Sequence, residues 1–147
     1  MRAVIEEALR LYPPAAVLSR EAIADDEILG VRIPAGTVVS ISPYVLHRRA
    51  NLWTSPDAYD PSRFLGGARD RIDRFAYIPF GAGPRVCIGM AFSMQEAIII
   101  LANLLRTFRF ELVEGHPVAP RQRVTLRPRD GMRMHVRRRE SSGKNSI

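Results

Sequence analysis

Between residues 2 and 11 the apolar side chains Val4, Ile5, Ala8 and Leu11 recur at the spacing of one helix face, and Pro13-Pro14 stops the run. A helix over 2–11 is predicted. From Ala15 to Ser42 the pattern shortens to strand-length runs between turn signals at Asp25-Asp26, Gly30 and Pro34-Ala35-Gly36, which predicts a small antiparallel sheet. Pro43 to Arg49 has room for one or two helical turns. Ala50 to Asp73 fits neither period, and so long an irregular connection inside a domain is usually functional. Met90 to Leu105, MAFSMQEAIIILANLL, contains no Gly or Pro and is apolar nearly all round, which predicts a deeply buried helix. It is too short to cross a membrane, and Ser93, Gln95, Glu96 and Asn103 interrupt it. Phe108 to Val113 and Val124 to Val136 read as strands of a second small sheet. After a domain over 1–136, the polar run RRRESSGKNSI at 137–147 predicts a disordered tail. The fold class expected is mainly α with small antiparallel β-sheets.

Composition narrows the function classes. The 147 residues, 46% hydrophobic and 25% charged, suit one soluble globular domain. A single cysteine excludes an intramolecular disulfide and points to a reducing, cytoplasmic compartment. The N-terminus is not a signal peptide, because Glu6 and Glu7 interrupt the apolar stretch and no small-residue cleavage site follows. A net charge of +7 admits a nucleic acid, a membrane surface or an acidic protein as partner. The arginines are spread, few aromatics accompany them and no nucleic-acid motif occurs, so an acidic partner or ligand is favoured and nucleic acid is not. A chain that opens inside a helix, and whose most apolar helix needs cover on all sides, is expected to be a fragment.

The chemistry centres on FGAGPRVCIG, Phe80 to Gly89. Cys87 has three readings: a buried structural thiol, a nucleophile beside one of His47, His116 and His135, or a metal thiolate. No motif places a histidine beside the sulfur. Under the third reading every neighbour has a role: the glycines bare the backbone for something flat, Arg85 offers a cationic fork, and the following helix start favours a thiolate. Elsewhere, Glu7 and Arg10 share a helix face, where a solvated ion pair is the default. Arg20, Arg63 and His47 are unremarkable singly.

In their order along the chain these residues resemble a known family. Glu7-Ala8-Leu9-Arg10, then Arg20, HRRANLW, DPSRF and the F-G-x-G-x-R-x-C-x-G loop resemble the C-terminal part of a cytochrome P450, a heme-thiolate monooxygenase, over nearly all of 6–137. The resemblance implies the C-terminal part of that fold and heme b (iron protoporphyrin IX) held through the Cys87 thiolate. It implies that Phe80 packs beside the sulfur, that Gly81, Gly83 and Gly89 let the loop lie against the porphyrin, and that Arg85, Arg20 and His47 bind the propionates. Glu7, Arg10 and Arg63 would form a buried three-way ion pair. Substrate contacts are expected at Ala15, Ala16, Val17 and Leu18 and at Val124 and Thr125, apolar positions for the most part that suit a small lipophilic substrate, with core packing as the alternative. The proximal half of the family is expected here without its distal half, so no catalytic residue beyond the iron ligand is assigned.

The resulting expectation is a monooxygenase inserting one oxygen atom from dioxygen into an organic substrate, fed by a ferredoxin-like or flavodoxin/reductase-like electron donor docking on the basic 69–85 region. Two alternatives remain: a non-catalytic heme-binding remnant, and a basic interaction domain with a structural cysteine. No transmembrane segment is expected in this chain, and an anchor upstream of it stays open.

Overall fold

In the computed structural model, which describes residues 1–140, helix α1 (Arg2–Leu11) leads into a nested pair of hairpins. Strand β1 (Leu18–Glu21) pairs antiparallel with β4 (Val38–Ile41), and between them β2 (Asp26–Ile28) pairs with β3 (Val31–Ile33). The β2–β3 turn is two residues long, with Leu29 at φ 52° and Gly30 at φ 81°, the backbone of a type I′ turn. The Asp25-Asp26 turn signal is corrected, since Asp26 already belongs to β2. Helix α2 (Pro43–Leu46) follows, capped by the Ser42 side chain, which accepts from the Val45 N–H. The irregular stretch that comes next holds short 3-10 turns at Pro61–Phe64 and Ala68–Arg71.

Helix α3 (Met90–Thr107) is followed by β5 (Phe108–Leu112), β6 (Pro120–Gln122), β7 (Leu126–Pro128) and β8 (Met134–Arg138). The single second sheet expected there is two separate pairs, β5 with β8 and β6 with β7. Strand β6 escaped the pattern because it is three residues long and opens on proline. β8 runs through Arg138, two residues beyond the expected domain end; the rest of the expected tail, 141–147, lies outside the described residues. Three α-helices stand beside eight strands among the described residues, so the mainly helical expectation is corrected to a mixed one.

The core is small and aromatic. Ala3 on α1 packs with Trp53 and Phe64 from the irregular stretch and with Ala76 and Tyr77 just after it. Phe64 and Tyr77 rings lie 5.0 Å apart and Trp53 sits 6.3 Å from each, within the range of favourable aromatic pairs. The irregular stretch is therefore packed, not loose.

Two burial expectations are overturned. On α1 the buried stripe is Ala3, Glu6, Glu7, Arg10 and Leu11, so only Leu11 of the apolar stripe is in it, and three charged side chains take the interior. That arrangement survives because those charges find partners. On α3, expected to be deeply buried, no residue is buried. Among the described residues it packs against α1 and β5, and one helix and one hairpin cover only part of a helix circumference.

Candidate functional site

Glu7 and Arg10, three apart on α1, face inward and are fully buried. Arg10 Nε and Nη2 donate to the two Glu7 carboxylate oxygens at 2.7 and 2.8 Å, a bidentate pair. The remaining guanidinium donors reach the carbonyls of His47 (2.7 Å), Pro56 (2.6 Å) and Ala58 (2.9 Å). All five N–H donors of Arg10 are thus used. Glu7 also accepts from the Asp60 N–H at 2.8 Å, and Arg63 Nε lies 3.5 Å from the same Oε1. The structure brings Glu7, Arg10 and Arg63 together, with Arg63 the looser member. A buried ion pair satisfied this fully fixes where the irregular stretch crosses α1, and removing one member leaves the other charge uncompensated.

His47 does not join the other arginines. It is fully buried, its Nδ1 is 3.0 Å from the Arg10 carbonyl, and its Nε2 accepts from the Ile78 N–H at 2.9 Å. Both ring nitrogens are occupied, which leaves none for a propionate, so this expectation is corrected: His47 is a structural bridge between α1 and the segment before the sulfur loop. Burial, with the Arg10 and Arg48 guanidiniums adding to it, lowers its pKa to about 4 and keeps the ring neutral.

The sulfur loop is folded by its own backbone. Cys87 N–H donates to the Phe80 carbonyl at 2.9 Å, Gly81 N–H to Ile78 at 3.0 Å and Val86 N–H to Gly83 at 3.1 Å. Gly81 and Gly83 hold φ of 79° and 73°, which other residues adopt only with strain. Gly89 caps α3, and a Cβ there would lie 3.8 Å from the Cys87 sulfur. Cys87 itself is exposed, which sets aside the buried structural thiol.

A cavity of about 590 Å³ opens on that sulfur. It gathers Phe80, Gly81, Arg85 and Cys87 from the loop, Arg20 from β1, and Ala15, Leu18 and Thr125 from the two expected substrate segments. Among the described residues neither Arg20 nor Arg85 makes a salt bridge, so two guanidiniums face the cavity without a carboxylate. Gly83, Gly89, Ala16, Val17 and Val124 do not line it. Ala16 is buried, while Val17 and Val124 are 51% and 92% exposed. Sequence reasoning missed Ile5 and Leu9 on α1 and Ser93, Met94 and Ala97 on α3, which complete the walls. Their four-residue spacing was the available signal, but it marks a helix face without saying what the face meets.

The cytochrome P450 family profile matches residues 1–134. The chain belongs to the cytochrome P450 family. It is 40% identical over 135 residues to thromboxane-A synthase of Sus scrofa, covering 90% of this chain and 25% of that protein. It is 42% identical over 123 residues to cyclooctatin synthase of Streptomyces melanosporofaciens, covering 84% of this chain and 27% of that one. Its structure superposes on the cytochrome P450DA heme domain with a TM-score of 0.87 at 31% identity, over 95% of this chain and 30% of that one. The chain therefore spans about a quarter to a third of the length of the P450 proteins it matches. Cytochromes P450 are heme-iron monooxygenases that draw electrons from redox partners and act on lipophilic substrates. No helix among the described residues is long and apolar enough to cross a membrane.

Proposed function

We propose that this chain supplies the thiolate side of a heme b site in a P450 monooxygenase, where Cys87 would hold the iron through its sulfur. The observation that carries the reading is the single cavity onto which Cys87, Arg20 and Arg85 all open, a sulfur and two cations from separate parts of the chain. Its volume of about 590 Å³ lies within the range of cofactor and small-molecule pockets, about 300–1,000 Å³.

The residues fit the group chemically. Cys87 would hold the heme iron through its sulfur, with the porphyrin supplying the iron's other ligands. Arg20 and Arg85 would hold the propionates by charge-assisted hydrogen bonds. Gly89 keeps a side chain away from the sulfur, Gly81 keeps one away from Leu18, and the loop backbone sets the direction of Cys87. Heme iron, when bound, supplies the dioxygen activation by which one oxygen atom enters an organic substrate. The chain's contribution to that chemistry is an electron-rich thiolate in a fixed position, an apolar wall at Ala15 and Leu18 for a small lipophilic substrate, and a basic surface at Arg69, Arg71 and Arg74 for a ferredoxin-like or flavodoxin/reductase-like donor.

Carbon monoxide difference spectroscopy of the reduced, heme-loaded protein tests the assignment. A red-shifted thiolate band is expected. Its absence overturns the reading in favour of an interaction domain with an incidental cysteine, whereas the band without any oxygenated product keeps the ligand and moves the chain to a non-catalytic heme binder.

A further inference from the structure

The cavity wall facing the sulfur is built from a loop with two anchors. Residues 12–17 connect α1 to β1 and present Pro14 and Ala15 to the cavity, with Leu18 following as the first residue of β1. On one side of Ala15 the Pro14 carbonyl accepts from the Leu126 N–H at 2.8 Å, which ties the loop to the β6–β7 hairpin. On the other side the Ala16 carbonyl accepts from the Ser42 hydroxyl at 2.9 Å and, at a longer 3.4 Å, from the Tyr44 N–H. Beyond it the β1–β4 ladder takes over with Leu18 opposite Ile41. Of these anchors only Ser42 acts through a side chain, and it is the shorter of the two bonds on Ala16.

We infer that Ser42 is a positioning residue for substrate selectivity: its hydroxyl sets how deeply Ala15 and Leu18 stand in the cavity, without touching the ligand. The inference rests on the heme reading above. The same hydroxyl oxygen accepts from the Val45 N–H at 3.3 Å and so caps α2. Ser42 thereby links the rigid start of α2 to the loop, donating in one direction and accepting from the other. Without the donor, the Ala16 carbonyl keeps only its longer bond, and the loop is free to shift about Pro14. A shift of that kind changes the width of the cavity and therefore which ligand shapes fit, because apolar pockets discriminate by steric match.

The two roles of the hydroxyl separate by substitution. Ser42→Thr keeps donor and cap. Ser42→Asp keeps the cap but presents a carboxylate to a carbonyl, losing the donor, and Ser42→Ala loses both. The readout is the ratio of dissociation constants for a linear and a caged alcohol, decan-1-ol and adamantan-1-ol, from the ligand-induced shift of the heme spectrum in the protein carrying the whole chain. Amide hydrogen exchange at Tyr44 and Leu126 in the same proteins reports the loop directly. We expect Ser42→Thr to keep the wild-type ratio and both Ser42→Ala and Ser42→Asp to move it by roughly tenfold, the low end of what a one-methylene misfit produces, with faster exchange at Tyr44. A ratio for Ser42→Asp equal to wild type, with the thiolate band intact, overturns the positioning role and leaves Ser42 a helix cap. Absence of the thiolate band in the wild-type protein overturns the heme reading and this inference with it.

Discussion

Arg10 and His47 each donate to the other's backbone carbonyl: Arg10 Nη1 to His47 O at 2.7 Å and His47 Nδ1 to Arg10 O at 3.0 Å. The donor assignment on the ring follows from its other nitrogen, since Nε2 accepts from the Ile78 N–H and is therefore unprotonated. A neutral His47 thus belongs to the folded state, locking α1, the start of the irregular stretch and the approach to the sulfur loop at one point.

Acid should therefore unfold this chain through His47. Its pKa falls from an ordinary 6.5 to about 4 on folding, mainly through burial. Between those values the unfolded chain binds a proton that the folded chain refuses, so stability is full above about pH 6.5 and falls as pH drops toward 4. The total is about 3 kcal/mol at 1.36 kcal/mol per unit. Urea midpoints measured across this range should fall with a steeper slope in wild type than in His47→Gln. Parallel curves would refute a neutral buried His47.

Replacing Arg10 by lysine should fail as a rescue. Lysine offers three donors on one atom where five acceptor contacts in a planar fork are needed, so Arg10→Lys and Arg10→Ala should both lose about 3–5 kcal/mol. Because Glu7 is left charged and buried in either variant, adding Glu7→Gln should cost much less than its effect alone. Denaturant unfolding of the single and double variants measures this; additive losses would mean the pair is not one unit.

Cys87→Ser should remove the thiolate-type carbon monoxide band while leaving the fold intact. Cys87 is exposed and its backbone N–H, not its side chain, closes the loop on Phe80, so the change costs no packing. Serine oxygen is a harder and less electron-donating ligand than sulfur. An unchanged spectrum with unchanged far-ultraviolet circular dichroism would move the iron ligand elsewhere.

Leu29 offers a stability gain remote from the cavity. It stands at φ 52° in a two-residue turn with its side chain fully exposed, so it holds a left-handed backbone and packs on nothing. Asparagine tolerates that conformation and is favoured before glycine in type I′ turns. Leu29→Asn should raise stability by about 1 kcal/mol with no change in the heme spectrum. Thermal unfolding decides it, and a loss would show that the turn is not strained.

The sulfur loop, the bounds of α1 and the order Glu7, Arg10, Arg20, Arg63, Cys87 were legible in the sequence because each is local: glycines where φ is positive, a double proline after a helix, fixed spacings around one sulfur. Tertiary structure alone decided which groups those segments meet. Periodicity locates apolar side chains but does not choose the face that finds a partner, and on α1 the charged face won because Arg10 reaches carbonyls 37, 46 and 48 residues away. No local pattern encodes those acceptors. His47 illustrates the same limit: the family resemblance implied an anion ligand there, and only the approach of Arg10 O and Ile78 N–H from two other segments makes it structural. Ala15, Leu18 and Thr125 likewise reach the cavity while Val17 and Val124 do not, and the Leu126–Pro14 bond that joins β7 to the loop after α1 brings those two segments together across more than a hundred residues.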